Sequence, residues 1–283
     1  MSLRMNHNVI SMVAHRNLYK VDRESQTSID RLSSGLRVNQ AWDDPAAMAV
    51  SDRMRMQIGS MVETERNASY AINLLSTAEA GLNNIDDKLT RMRALAVEAS
   101  NGTLSSLDRS YLDHEFQQLK SEINRVAEVT RYNGIKLLDG TYSQGASGPN
   151  GQGIKFHLGT YNVSNQDYYH VNLADMRLGA LGLDSVSLTN TALSQAAIGT
   201  IDAAQILKST EQTRVGSYVS RLQLSLESMM IHRENTVTSE STVRDADMAE
   251  TMSSLTRAQI RMQTTIAMTS QANQLPNIVA GLF

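Results

Sequence analysis

The stretch IGSMVETERNASYAINLLSTAEAGLNNIDDKLTRMRALAVEAS, Ile58 to Ser100, decides the fold class. Within it Ile58, Met61, Glu65, Ala68, Ile72, Leu75, Glu79, Leu82, Asp86, Leu89, Met92, Ala96 and Ala99 recur at steps of three and four. That is a heptad seam, roughly 60 Å long at about 1.5 Å per residue. Glu65, Glu79 and Asp86 at seam positions weaken a simple two-stranded coil. They suit a helical bundle whose seam shifts, for example towards Ile85. Asn101-Gly102 supplies the stop.

Working outward, a second helix is expected from about Asp108, with Leu112, Phe116, Leu119, Ile123, Val126 and Thr130 on one stripe and a stop at Asn133-Gly134. The short connection between the two makes them antiparallel neighbours. Between about 135 and 187 the texture changes. IKLLDG, IKFHLGTY and DYYHVNLAD are short runs separated by Gly-, Ser- and Asn-rich turns, and they predict a small β-hairpin region. GASGPNGQG within it lacks the strand-to-helix spacing of a phosphate-binding loop and reads as a turn. Helical pattern resumes near Asn190, with Val215, Val219, Leu222, Leu226 and Met229 on one face. A further stripe runs Met248, Met252, Leu255, Gln259, Met262, Ile266 and Thr269. The N-terminal segment repeats the pattern weakly at Ile10, Val13, Leu18, Val21, Ile29 and Leu32. Segments of this kind need tertiary burial to hold them, so the two chain ends are expected to pack together. The fold class is mainly α: a long coiled-coil-like helical rod of paired terminal segments, with the small β-hairpin region in mid-chain.

Composition narrows the function. The 283 residues carry 26 Lys and Arg against 29 Asp and Glu, a net charge of −3, which gives no basic excess for nucleic acid. Proline occurs three times, at Pro45, Pro149 and Pro276, so long helices run uninterrupted. Cysteine is absent, which removes disulfides, thiolate metal sites and cysteine nucleophiles. The opening MSLRMNHNVISMVAHRNLYKV has no apolar core or cleavage pattern of a secretory leader, and no run approaches the ~20 apolar residues of a membrane span. The six histidines are scattered without metal-ligand spacing. Asp43-Asp44-Pro45 reads as a helix start, with Asp44 capping and Pro45 in the first turn, rather than as a carboxylate pair. No G-x-S-x-G elbow occurs. Neither an enzyme nor a cofactor is indicated.

The sequence resembles bacterial flagellin, the subunit of the flagellar filament. The resemblance is carried by RLSSGLRVNQAWDDPAAMAVS (Arg31 to Ser51), ERNASYAINLLSTAEAGLNNI (Glu65 to Ile85), RMRALAVEASNGT (Arg91 to Thr103), EINRVAEVTRYNGIKLLDG (Glu122 to Gly140) and ANQLPNIVAGLF (Ala272 to Phe283). It implies an inner coiled-coil domain of about 1–40 with 240–283 and an outer helical domain of about 45–235 carrying the β-hairpin region. The short middle implies a form without large surface domains. The implied function is self-assembly into the helical propeller for swimming motility, after export of the unfolded chain through the flagellar type III apparatus. The implied partners are further copies of the chain, an export chaperone at the C-terminal segment, and the filament cap and hook-junction proteins. A host Toll-like receptor is a further implied partner, with no nucleic acid and no membrane insertion. The implied location is the secreted filament, outside the cell or within a periplasm. Assembly residues expected on the terminal helices are Leu18, Val21, Ile29, Leu32, Met262, Ile266, Leu275, Ile278, Val279, Leu282 and Phe283. Arg91, Leu95 and Glu115 align with the family's innate-receptor contact and serve equally as subunit contacts. Hydroxyl modification is expected first between Ser143 and Ser164. A hook–filament junction protein is the alternative within the same machinery, and a cytosolic coiled-coil adaptor the alternative outside it.

Overall fold

A computed structural model describes the backbone over residues 8–143 and 153–280, with side chains described as far as residue 274. Helices α1 (Val9–Ser34), α2 (Pro45–Ala99), α3 (Ser106–Val129), α4 (Leu178–Leu181), α5 (Thr191–Arg244) and α6 (Met248–Ala280) dominate it. Four short strands, β1 (Arg131–Tyr132), β2 (Ile135–Lys136), β3 (Ile154–His157) and β4 (Tyr168–Val171), lie between α3 and α4. The mainly α fold with a small mid-chain hairpin region is therefore present. The chain divides into two compact units, Met1–Ile58 with Glu234–Phe283, and Gly59–Arg233.

In the 59–233 unit, α2 runs antiparallel to both α3 and α5. Ala68, Leu75, Leu82, Leu89, Met92, Ala96 and Ala99 of the expected seam are buried, and Ala71, Leu74, Ala78, Ile85 and Leu95 widen it into a bundle core. The acidic seam positions are answered from α5. Asp86 Oδ1 lies 2.7 Å from Lys208 Nζ, and Glu65 Oε1 lies 2.7 Å from Arg233 Nε. Lys208 and Glu211 of α5 are themselves buried, so a polar layer crosses the bundle between apolar ones.

α3 begins in a capping box: the Ser105 hydroxyl accepts from Asp108 N–H while the Asp108 carboxylate accepts from Ser105 N–H. Its C-terminal end differs from the sequence reading. The helix stops at Val129, and Asn133-Gly134 is instead the two-residue turn of the β1–β2 hairpin, with φ of 48° and 80°. Two successive left-handed residues match the twist of the flanking strands, which is why Asn-Gly favours a hairpin there. β3 and β4 pair antiparallel, with Ile154 opposite Val171 and Phe156 opposite Tyr169. Phe156 and Val171 turn into the core, while Lys155 Nζ sits 3.6 Å from the centre of the Tyr168 ring on the other face. Most of GASGPNGQG lies outside the described residues, and so does part of the Ser143 to Ser164 segment.

The other unit is built on α1 and α6, which lie antiparallel. Asn8 Nδ2 donates to Ala272 O at one end, Arg261 Nη1 meets Glu24 Oε2 at 2.7 Å midway, and Leu36 bridges Asp245 at the other. Gly35, with φ of 72°, closes α1 in the left-handed conformation, its N–H donating to Arg31 O. From there the chain is tied to the end of α5: Arg37 N–H donates to Arg244 O at 2.7 Å and Ala246 N–H to Gly35 O at 2.9 Å. The expected helix start is present, since Asp44 Oδ1 accepts from Ala46 and Ala47 N–H ahead of a helix that begins at Pro45. Asp43 Oδ2 accepts from Asn39 and Gln40 N–H, so both carboxylates serve the backbone.

Candidate assembly surface

Two helices that meet along a heptad seam ordinarily fill it with Leu, Ile and Val. Here the seam of α1 runs Ser11, Ala14, Leu18, Val21, Ser25, Ser28 and Leu32, and that of α6 runs Thr251, Leu255, Ala258, Met262, Thr265, Thr269 and Ala272, all buried or half-buried. Small and hydroxyl-bearing residues make up most of both. Beyond Leu18, Val21, Leu32, Leu255 and Met262, the large apolar side chains point away. Met12 is 68% exposed, Tyr19 73%, Ile260 57% and Met268 66%, and Val9, Ile10 and Val13 are exposed beside them. This corrects part of the sequence stripe on α6: Leu255, Met262 and Thr269 lie in the seam, whereas Met248, Met252, Gln259 and Ile266 lie outside it, and Thr251, Ala258 and Thr265 take the places of the last three. Small side chains let two helices approach closely, so contact and hydrophobicity part company.

The expected assembly residues accordingly divide. Val21 is buried inside the pair, and Leu18, Leu32 and Met262 are half-buried there. Ile29 and Ile266, 50% and 53% exposed, face outward. Leu275, Ile278 and Val279 belong to α6, but their side chains lie outside the described residues, and so do Leu282 and Phe283. Met12, Tyr19, Ile260 and Met268 were missed. Their signal was present as apolar residues that the seam's three–four spacing does not claim. Free exposure of so much apolar surface on two facing helices marks an interaction surface.

A second group lies on the other unit. Arg91 of α2 and Glu115 of α3 pair at 2.7 Å, each about half exposed. The hydrogen bond from Arg91 holds the Glu115 carboxyl below its ordinary range, and the same bond raises Arg91. Leu95, one turn on from Arg91, is fully buried. It belongs to the core and presents no surface of its own, a correction to its reading as a contact residue.

Residues 5–143 match the bacterial flagellin N-terminal helical region, and residues 198–283 match the bacterial flagellin C-terminal helical region. The chain belongs to the bacterial flagellin family. It is 35% identical over 280 residues to a flagellin of Halalkalibacterium halodurans, covering 98% of each chain. It is 35% identical over 281 residues to the flagellar filament core protein flaB2 of Brachyspira hyodysenteriae, covering 96% of each. Among solved structures, a Vibrio parahaemolyticus protein described as flagellar hook-associated matches 72% of this chain and 100% of its own, with a TM-score of 0.58 and 17% identity, which speaks to the fold alone. Flagellins are structural proteins rather than enzymes, and among the described residues of this one no helix is long and apolar enough to cross a membrane.

Proposed function

We propose that this flagellin is a subunit that polymerises into the bacterial flagellar filament, the helical propeller of swimming motility, and that α1 and α6 supply its principal subunit contacts. The observation that carries the reading is the outward set of apolar side chains on a helix pair whose own seam is mostly small and polar. Such a pair gains little from folding alone and much from burial against neighbours; the ordering cost keeps monomers apart until a growing end offers that burial. An open helical polymer requires unlike faces to meet. The terminal segments 1–40 and 240–283 then act as the inner domain, and 45–235 as the outer one.

Export of the unfolded chain through the flagellar type III apparatus accords with the absence of cysteine. In this reading the export chaperone takes the C-terminal segment, the cap and hook-junction proteins meet the ends of the filament, and the finished filament lies outside the cell membrane. The exposed Arg91–Glu115 pair is the part of the aligned receptor contact that a Toll-like receptor, or a neighbouring subunit, is able to touch.

Electron microscopy of purified chain mixed with short filament seeds tests the proposal. Long filaments are expected from the full chain and none from a chain lacking 1–40 and 240–283. Failure of the full chain to elongate across a range of salt moves the hook–filament junction reading to first place.

A further inference from the structure

A groove of about 570 Å³ runs between α1 and α6, lined on one side by Lys20, Arg23 and Arg31 and on the other by Arg257 and Arg261. Glu24 is the one carboxylate in its lining, and Arg261 takes it. Among the described residues Lys20, Arg23, Arg31 and Arg257 form no ion pair, and the Nε of Arg31 is buried without any hydrogen-bond partner. Four cations within three helical turns, unanswered in a chain of net charge −3, repel one another until an anionic group arrives.

The same unit carries the complement. Two to three turns along the pair, the segments joined by Arg37, Arg244, Gly35 and Ala246 hold a collar of exposed carboxylates: Asp43, Asp245, Asp247 and Glu250. Asp43 and Asp247 are occupied by backbone N–H groups, whereas Asp245 and Glu250 form no ion pair among the described residues.

We propose that the basic groove receives the acidic collar of a second copy of this chain. Groove on groove sets like charges together and is disfavoured, so the charges select contact between unlike patches. Contact of that kind adds subunits head to tail without closing, which is what a filament needs. The inference rests on the filament-subunit reading and supplies the register that the outward apolar faces, being non-directional, do not.

Charge reversal tests it on full-length chain added to wild-type-length seeds. R23E/R257E cancels the net charge of the groove, and D245K/E250K cancels that of the collar while leaving the Asp247 cap of α6 in place. Each variant alone is expected to elongate at least tenfold more slowly than wild type, with helix content by circular dichroism unchanged. An equimolar mixture of the two is expected to regain growth with both chains incorporated, because the unaltered collar of one then meets the unaltered groove of the other and the introduced lysines meet the introduced glutamates; a single chain bearing all four substitutions is expected to regain it as well. Wild-type elongation with undiminished growth of either variant alone overturns the inference and leaves the filament reading standing. Failure of both the mixture and the fourfold variant overturns it too. Wild-type chain that extends no seeds overturns the filament reading together with the inference. Stabilisation of unpolymerised chain by millimolar inorganic phosphate, lost in R23E/R257E, reassigns the groove to a small anion and removes the second copy as its occupant.

Discussion

Gly81 is a position where a single hydrogen atom matters. It lies in α2 where a Cβ would come within 2.8 Å of Thr130 Oγ1 and 2.9 Å of Leu138 Cδ1, and Thr130 is pinned by its own hydrogen bond to Val126 O. Gly81→Ala should therefore destabilise the chain by about 1–3 kcal/mol despite the better helix propensity of alanine, read as a lower denaturant midpoint. Lys120 makes a different case. Its side chain is buried on α3 and Nζ donates to Asp184 O and Val186 O at 2.8 and 3.0 Å, tying down the chain that leads into α5. Burial lowers its pKa, so the penalty on the charged form is present at neutral pH and is relieved as pH rises through the lowered value towards that of an ordinary lysine. Lys120→Met keeps the stem and removes the donor; a loss of about 1–3 kcal/mol is expected, checked by thermal melting. Neither role was legible in the sequence. A glycine in a heptad run and a lysine next to Leu119 carry no local signal of either role, because what each one meets comes from a segment remote in the chain.

Among the elements, the α2–α3 hairpin was the most legible, since period, stop signal and short connection all agree. The capping box at its turn adds a measurable increment: Ser105→Ala should cost about 1 kcal/mol, visible as fraying of α3 in hydrogen exchange. The hydrogen bond from the Ser105 hydroxyl lowers the Asp108 pKa, and that from Arg91 lowers Glu115. For carboxylates depressed on folding, the stabilisation is complete above the unfolded-state pKa and is lost as pH falls through the folded-state value. Acid titration should loosen α3 below the ordinary carboxylate range, and Glu115→Gln should flatten that slope; an unchanged slope would show that the surface pair contributes nothing. The small hairpin was half legible. Asn-Gly was recognised as punctuation, but a two-residue strand on each side is too short to carry an alternating pattern, so a helix stop and a hairpin turn looked alike.

Over the molecule as a whole, pairing of the chain ends was legible from two apolar stripes without other partners, while the register of that pairing was not. The stripe of greatest hydrophobicity on α6 coincides only in part with the stripe that touches α1: Leu255, Met262 and Thr269 serve both, but small residues such as Ser25, Ser28 and Ala258 fill much of the intramolecular seam. Ser25→Ala should accordingly raise the melting temperature of the free chain, worth about 0.5 kcal/mol in helix propensity, without adding any outward apolar surface. Seeded growth rates that stay level as the melting temperature rises would separate folding of the pair from its use in assembly. The pairing also has a consequence in time. The bond from Asn8 to Ala272 joins residues 264 positions apart. At about 5–20 residues per second on the ribosome, α1 emerges some tens of seconds before its partner exists. Through that interval α1 lacks its partner, and the pair that begins with the first helix cannot close until the last helix has been synthesised.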